Sequence, residues 1–252
     1  MGSGNTSDKS QNSGNKNVAI GYKAIGGGIG TTDNLTAQFN VAMGYESMRL
    51  ATSAQYNISI GANSGWDMTT GSYNVLIGVN SGQNITTGSD LFALGVNSLL
   101  SAVADRKHIG IGTESLYSVN NSNNEGYNIG IGHQAGKFVT TGKYNTFIGG
   151  LAGLGVDGSE VTEHFNTGIG YKALNAIITN AASNTALGAY ALEGLTTGDN
   201  NVGIGHKALN VVADHSMCTA VGFEAGMTSA GDRNTFIGFK CGKNVTTGIN
   251  NV

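Results

Sequence analysis

Glycine returns along this chain thirteen times inside one short phrase, usually asparagine, then two residues, a large apolar residue and the glycine, with Ala or Ser three residues later in all but one. Aligned on that glycine, the anchors are Gly21, Gly44, Gly61, Gly78, Gly95, Gly112, Gly132, Gly149, Gly170, Gly188, Gly205, Gly222 and Gly238. The gaps between them are 23, 17, 17, 17, 17, 20, 17, 21, 18, 17, 17 and 16 residues. A fixed period of this length overrides local secondary-structure preference, because each repeat is one structural unit that completes its core only by stacking on its neighbours. The spacing therefore predicts an all-β parallel β-solenoid of about 13 rungs rather than a globular domain.

Each column of the alignment describes one environment. Immediately before the anchor stand Ile20, Met43, Ile60, Ile77, Leu94, Ile111, Ile131, Ile148, Ile169, Leu187, Ile204, Val221 and Ile237, which reads as a buried stripe. Two before it, ten of thirteen residues are Ala, Gly or Ser, with Leu76, Phe147 and Phe236 as exceptions. Three before it come Val, Ile or Phe through Ile129, then mostly Thr from Thr146 to Thr235. Alternate strand residues point to opposite sides, so a strand with no charge on either side is covered on both. Three residues after the anchor only Ala or Ser occurs, apart from Cys241, so only a small side chain fits there.

Four residues before the anchor, ten rungs carry asparagine: Asn17, Asn40, Asn57, Asn74, Asn128, Asn145, Asn166, Asn184, Asn201 and Asn234. Stacked amides bond to one another and to turn backbone, so this column predicts a ladder along in-register rungs. Leu91, His108 and Cys218 replace asparagine in the other three. Thr-Thr-Gly recurs at 69–71, 86–88, 140–142, 196–198 and 246–248, and its glycine is expected to supply the positive φ of a tight corner. One rung is then a strand, a turn at the anchor, a second short strand or extended segment, and this corner. At about 4.8 Å per rung, thirteen rungs would span about 60 Å. The long gaps place insertions near 26–36, 118–127 and 154–165, which in a solenoid emerge as loops. Residues 1–16 read as a polar N-terminal segment, and 17–252 as one repeat domain ending inside a fourteenth repeat at Asn251 and Val252.

Composition matters chiefly for what it excludes. There is no proline to break a β-ladder, and charged residues make up 12% of the chain, about half the usual share. The net charge of −3 and scattered Lys and Arg leave no basic stripe for nucleic acid. No run of eighteen apolar residues and no secretory h-region occurs, so membrane insertion is not expected. Two cysteines, Cys218 and Cys241, make no disulfide framework and read as free thiols.

The phrases Asn-Val-Ala-Ile-Gly at 17–21 and Asn-Val-Gly-Ile-Gly at 201–205, with their kin, resemble the head repeats of YadA-type trimeric adhesins and the similar repeats of bacteriophage tail-fibre proteins. The resemblance runs from about Asn17 to the end and implies a left-handed β-roll, three copies about one axis, and a non-enzymatic structural or adhesive role. The period of seventeen and the Thr-Thr-Gly corners fit the phage side better, because the adhesin repeat is usually shorter. A phage fibre also needs no secretion signal or membrane anchor. The expected role is thus a tail-fibre shaft in the virion, or a similar appendage at an extracellular surface, contacting other fibre proteins and supporting attachment to a host glycan or protein receptor. A bacterial trimeric autotransporter head is the alternative. Without the resemblance, a thin roll lined with small residues still buries little apolar area and leaves an apolar second face that symmetry mates would cover.

Several patterns mimic active sites. Gly130-Ile131-Gly132 and Gly203-Ile204-Gly205 lack the strand, turn and helix order of a phosphate loop. The serines after Gly61, Gly78, Gly95 and Gly112 occupy the small column and read as packing. His108, His133, His164, His206 and His215 show no metal spacing, although His133 and His206 share the column after the anchor, where a threefold axis would turn one ligand into three. Asp157, Glu160 and Glu163 would be the carboxylates of a polysaccharide depolymerase, but they read as a solvated loop. Stacked threonines would suit ice binding, but the Thr-Thr pairs lie at corners. The column two after the anchor, with Lys23, Glu46, Asn63 and Lys207, reads as facing solvent. The ligand candidates are Trp66 and Asp67 beside a corner and the insertion loops, with Tyr22 and Tyr45 just after their anchors, since exposed aromatics with Asn and Asp nearby suit stacking on a sugar. The competing reading packs Trp66 against a neighbouring rung. No cofactor or metal is expected.

Overall fold

The computed structural model describes residues 16–26, 36–121, 125–159, 161–211, 213–228 and 231–252. Nearly all of the N-terminal segment, most of the first insertion and Glu160 fall outside them. Among the described residues there is no helix, and the chain forms thirteen three-residue strands. It divides into two compact units, Met1–Tyr127 and Asn128–Val252. The first holds β1 (Val18–Ile20), β2 (Val41–Met43), β3 (Ile58–Ile60), β4 (Val75–Ile77), β5 (Phe92–Leu94) and β6 (Ile109–Ile111). The second holds β7 (Ile129–Ile131), β8 (Thr146–Ile148), β9 (Thr167–Ile169), β10 (Thr185–Leu187), β11 (Val202–Ile204), β12 (Thr219–Val221) and β13 (Thr235–Ile237).

In each unit every strand pairs in parallel with the next in sequence, and the repeat columns lie in register: Ile58 opposite Val75, Ile60 opposite Ile77, Thr185 opposite Val202. This is a parallel β-solenoid. Five complete coils link the first unit's strands and six the second's, about eleven coils carrying thirteen strands, so thirteen rungs counts strands rather than closed turns. The second strand per rung does not form. The stretch after each anchor is a run of turns, and the far side contributes isolated bridges such as Gln38 to Gln55 and Gln55 to Ser72.

The turns are left-handed at fixed places. In the third coil Tyr56, Asn63 and Gly65 have φ of 56°, 54° and 56°, and equivalent positions repeat this throughout. Such a conformation costs an ordinary residue about 1–2 kcal/mol. Stacking offsets the cost, because each of these amides donates to a neighbouring coil: Tyr56 to Gln38 O at 3.2 Å, Asn63 to Tyr45 O at 2.9 Å, Gly65 to Ser81 O at 2.9 Å. The anchor glycine is obligatory for two reasons. At Gly78 φ is +136°, and a Cβ would sit 2.4 Å from the carbonyl oxygen of Gly95 in the next coil. Four of the five corner glycines differ from expectation, and Gly248 alone has the positive φ, 122°. Gly71, Gly88, Gly142 and Gly198 are not left-handed; what excludes a side chain there is proximity, since a Cβ on Gly71 would lie 2.4 Å from Gly88 O and one on Gly198 1.9 Å from His215 O.

Burial reverses the expected stripe. From β2 to β13 the middle residue of each strand is buried and neither flanking residue is. The column of Ile, Leu, Met and Val before the anchor therefore points out of the single chain, with Ile20 53% and Ile237 69% exposed. The interior is narrow. It holds the asparagine column, the strand middle, the small column and the residues four and seven after the anchor; a large residue alternates between the fourth position and the strand middle, while Met68, Ile85, Ile177 and Leu195 fill the seventh. Phe147 fills the space over Gly153, where a Cβ would be 2.2 Å from its ring, and Phe236 does the same over Gly242 at 2.1 Å. Conversely Gly168 faces Leu174 and Gly203 faces Leu192. This is jigsaw packing between residues six or eleven positions apart.

The asparagine ladder forms as expected within each unit. Asn57 Oδ1 accepts from Asn74 N at 2.9 Å, while its Nδ2 donates to Asn40 Oδ1 and to Gly71 O, both at 2.9 Å. From Asn128 through Asn145, Asn166 and Asn184 to Asn201 each backbone N donates to the preceding Oδ1 and every one of these amides is fully buried, Asn166 departing from the pattern in that its Nδ2 has no partner. Buried polar groups are tolerated because they are bonded. The small-column serines are used likewise: Ser47 Oγ donates to Ser59 O at 2.9 Å and Ser98 Oγ to Gly110 O at 2.9 Å.

Candidate functional site

The outward face of the strands is the feature that packing within the chain leaves unexplained. Since direction alternates along a strand, the residues five, three and one before the anchor and the one after it share that face. At the last three of these positions there is no Asp, Glu, Lys or Arg in any of the thirteen repeats. Val18, Ile20, Tyr22, Ile58, Phe92, Leu94 and Val96 are exposed in the first unit, and Tyr171, Leu187, Phe223, Ile237 and Phe239 in the second. A strip about five residues wide, at ~3.3 Å per residue and ~4.8 Å per rung, comes to roughly 500 Å² in each unit. That is at the upper end of what a lone soluble chain exposes as one apolar patch.

Aromatic rings stack along both margins of this face. Phe39, Tyr56 and Tyr73 lie with centroids 4.8 and 5.1 Å apart and nearly parallel, and Tyr144 and Phe165 repeat the arrangement at 5.2 Å. This column went unnoticed in the sequence although it carries a plain signal, an aromatic residue directly before the ladder asparagine. On the other margin Tyr22 stacks on Tyr45 at 5.3 Å, and His206, Phe223 and Phe239 stack at 5.3 and 5.6 Å. Lysines border the rings, Lys16 4.6 Å above Phe39 and Lys240 4.9 Å above Phe239. Lys107 bridges Glu125 and Tyr127 at the edge, and those bonds hold the Glu125 carboxyl below its ordinary range.

The proposed ligand residues do not form one cluster. Tyr22 and Tyr45 are neighbours, but their facing surfaces are taken up by each other. Trp66 is half-buried, and its indole N–H donates to Glu46 Oε2 at 2.9 Å, with Arg49 3.2 Å from the other Glu46 oxygen. Asp67 follows it on the turn, and burial pushes its carboxyl above the ordinary range. The column two after the anchor, expected to face solvent, is for the most part half-buried in the left-handed turn, where Asn63, Asn80 and Asn97 form a second amide ladder at 3.2 and 3.1 Å. Of the insertion carboxylates, Asp157 is exposed, and Glu163 accepts from Asn180 N at 2.9 Å. Among the described residues no three His, Cys, Asp or Glu side chains gather as a metal site, and no helix is long and apolar enough to cross a membrane. No family model, curated protein or solved structure matches this chain.

Proposed function

We propose that this chain is a structural segment of a homotrimeric fibre, a left-handed β-roll whose apolar sheet faces pack together around a common axis. The observation that carries the reading is the uncharged outward face. It is continuous along the strands of each unit, and among the described residues no element of the chain covers it. Removing about 500 Å² of the first unit's face from water at ~25 cal/mol per Å² corresponds to roughly 12 kcal/mol before the costs of association, and the second unit contributes less because Thr146, Thr167, Thr185, Thr219 and Thr235 bring hydroxyls to its face. Closed symmetry lets one patch serve every copy and leaves no runaway association. With the repeat resemblance, this supports a shaft of a phage tail fibre or similar virion appendage that holds a receptor-binding element at the host surface, without catalysis of its own. Its partners are further copies of the chain, other fibre proteins and a host glycan or protein receptor.

Sedimentation equilibrium at micromolar concentration tests the reading. The expected mass is three times the 25.7 kDa chain. Ile60→Asp and Ile169→Asp, both on the outward column, should lower the mass to that of one chain while the β-type circular dichroism persists. A native chain that sediments as a monomer would refute the fibre.

A further inference from the structure

The ladder of the first unit changes character where Leu91 and His108 stand in place of asparagine. Beside His108 lies Asp105, and both side chains are wholly buried. One Asp105 oxygen, Oδ1, accepts from the backbone N of Asn121. The other, Oδ2, is shut off from solvent and has no hydrogen-bond partner. A carboxylate oxygen enclosed in a narrow interior is costly without a positive counterpart. His108 Nε2 is 3.9 Å from Asp105 Oδ1, too far for a hydrogen bond. The Asn121 amide lies 3.3 Å from the same Nε2.

We propose that Asp105, His108 and Asn121 form a buried site for a divalent transition-metal cation, with Zn²⁺ as the best fit. Donors bound tetrahedrally at ~2.0–2.2 Å stand about 3.3–3.6 Å from one another, so spacings of 3.3 and 3.9 Å need to close by only a few tenths of an ångström. The Asn121 amide turns over within its own volume and presents its oxygen to the metal. A carboxylate, an imidazole and an amide oxygen without thiolate form a mixed O and N donor set that suits zinc, and a water or backbone carbonyl completes the shell. Gly126 closes the site: a Cβ there would lie 1.9 Å from His108 Cε1 and 2.7 Å from the Asn121 amide nitrogen. The ion would fasten the insertion that carries Asn121 and Gly126 to the corner that carries Asp105. This site is independent of the outward face, and its presence does not depend on the fibre reading.

The test uses the full chain, stripped with EDTA, dialysed and melted with and without ZnCl₂. His108→Asn is the decisive variant, because it restores the ladder residue and so keeps the coil while removing the imidazole. At a hundredfold excess over the dissociation constant the wild type should melt about 5 °C or more higher with one Zn²⁺ bound per chain, and His108→Asn and Asp105→Asn should not respond. With Co²⁺, the wild type alone should show visible d–d absorption. A wild type indifferent to Zn²⁺ would leave only a buried acid–imidazole contact and overturn the site. An equal shift in His108→Asn would assign the binding to the remaining histidines and overturn it as well.

Discussion

Replacing Asn57 with alanine isolates what the buried ladder contributes. Three hydrogen bonds of 2.9 Å meet at this side chain: it accepts from Asn74 N and donates to Asn40 Oδ1 and Gly71 O. Asn40 Oδ1 retains the backbone N of residue 57, at 3.0 Å, so it stays bonded. Asn74 N–H and Gly71 C=O lose these partners inside a core where no atom of Asn57 is exposed. Each buried group so stranded costs about 1–3 kcal/mol, which puts the variant about 2–6 kcal/mol below the wild type. A stack of repeats opens locally as well as globally, so a single denaturation midpoint is a blunt measure. Amide hydrogen exchange at Asn74 reads the effect directly, and 2 kcal/mol corresponds to a loss of protection of about thirtyfold. The chain's own Leu91 indicates that a side chain filling the volume is tolerated better, so Asn57→Leu should cost less than Asn57→Ala. Unchanged protection at Asn74, with a loss of stability below about 0.5 kcal/mol, would show that the amides do not hold the coils in register.

Other expectations concern the core and the thiols. Phe147→Gly should destabilise by about 3–5 kcal/mol through the cavity it opens, and Gly153→Leu should destabilise by clashing with the Phe147 ring. The double variant reproduces the native pairing of Gly168 with Leu174, so urea titration should find it more stable than either single change, with a coupling of at least ~1 kcal/mol; strict additivity would refute the packing rule. Cys218 is buried and Cys241 exposed, and burial pushes the Cys218 thiol above its ordinary range. One thiol per chain should therefore react promptly with Ellman's reagent at pH 8 in the native state, and two after denaturation; two fast thiols in the native state would contradict the assignment. Because the folded chain holds the Cys218 proton more tightly than the unfolded one, this thiol contributes full stability below the ordinary thiol range, about pH 8.5, and loses it as pH rises beyond. Cys218→Ser should flatten that alkaline decline in thermal melts.

The repeat made much of the fold legible because stacking demands the same residue type at the same place in every coil. Asn57, Asn74 and Asn145 announce the ladder, Gly61 and Gly78 the turn that brings one coil against the next, and Ser64 and Ala135 the tight column. Each depends only on the coil directly above or below, and that relation is written as a spacing of seventeen. Three matters were decided by the closed coil alone. Alternation separates Ile60 from Ser59 but does not say which points inward; the narrow bore does, since a small strand centre leaves its room to large residues from the turns, such as Leu192 and Leu195 beside Ala186. The corner glycine at 71 is required by the carbonyl of Gly88, an approach visible only once the coils are stacked. The meeting of Asp105 and His108 with Asn121 depends on an insertion, which carries Asn121 and where the period lapses and no column predicts a neighbour.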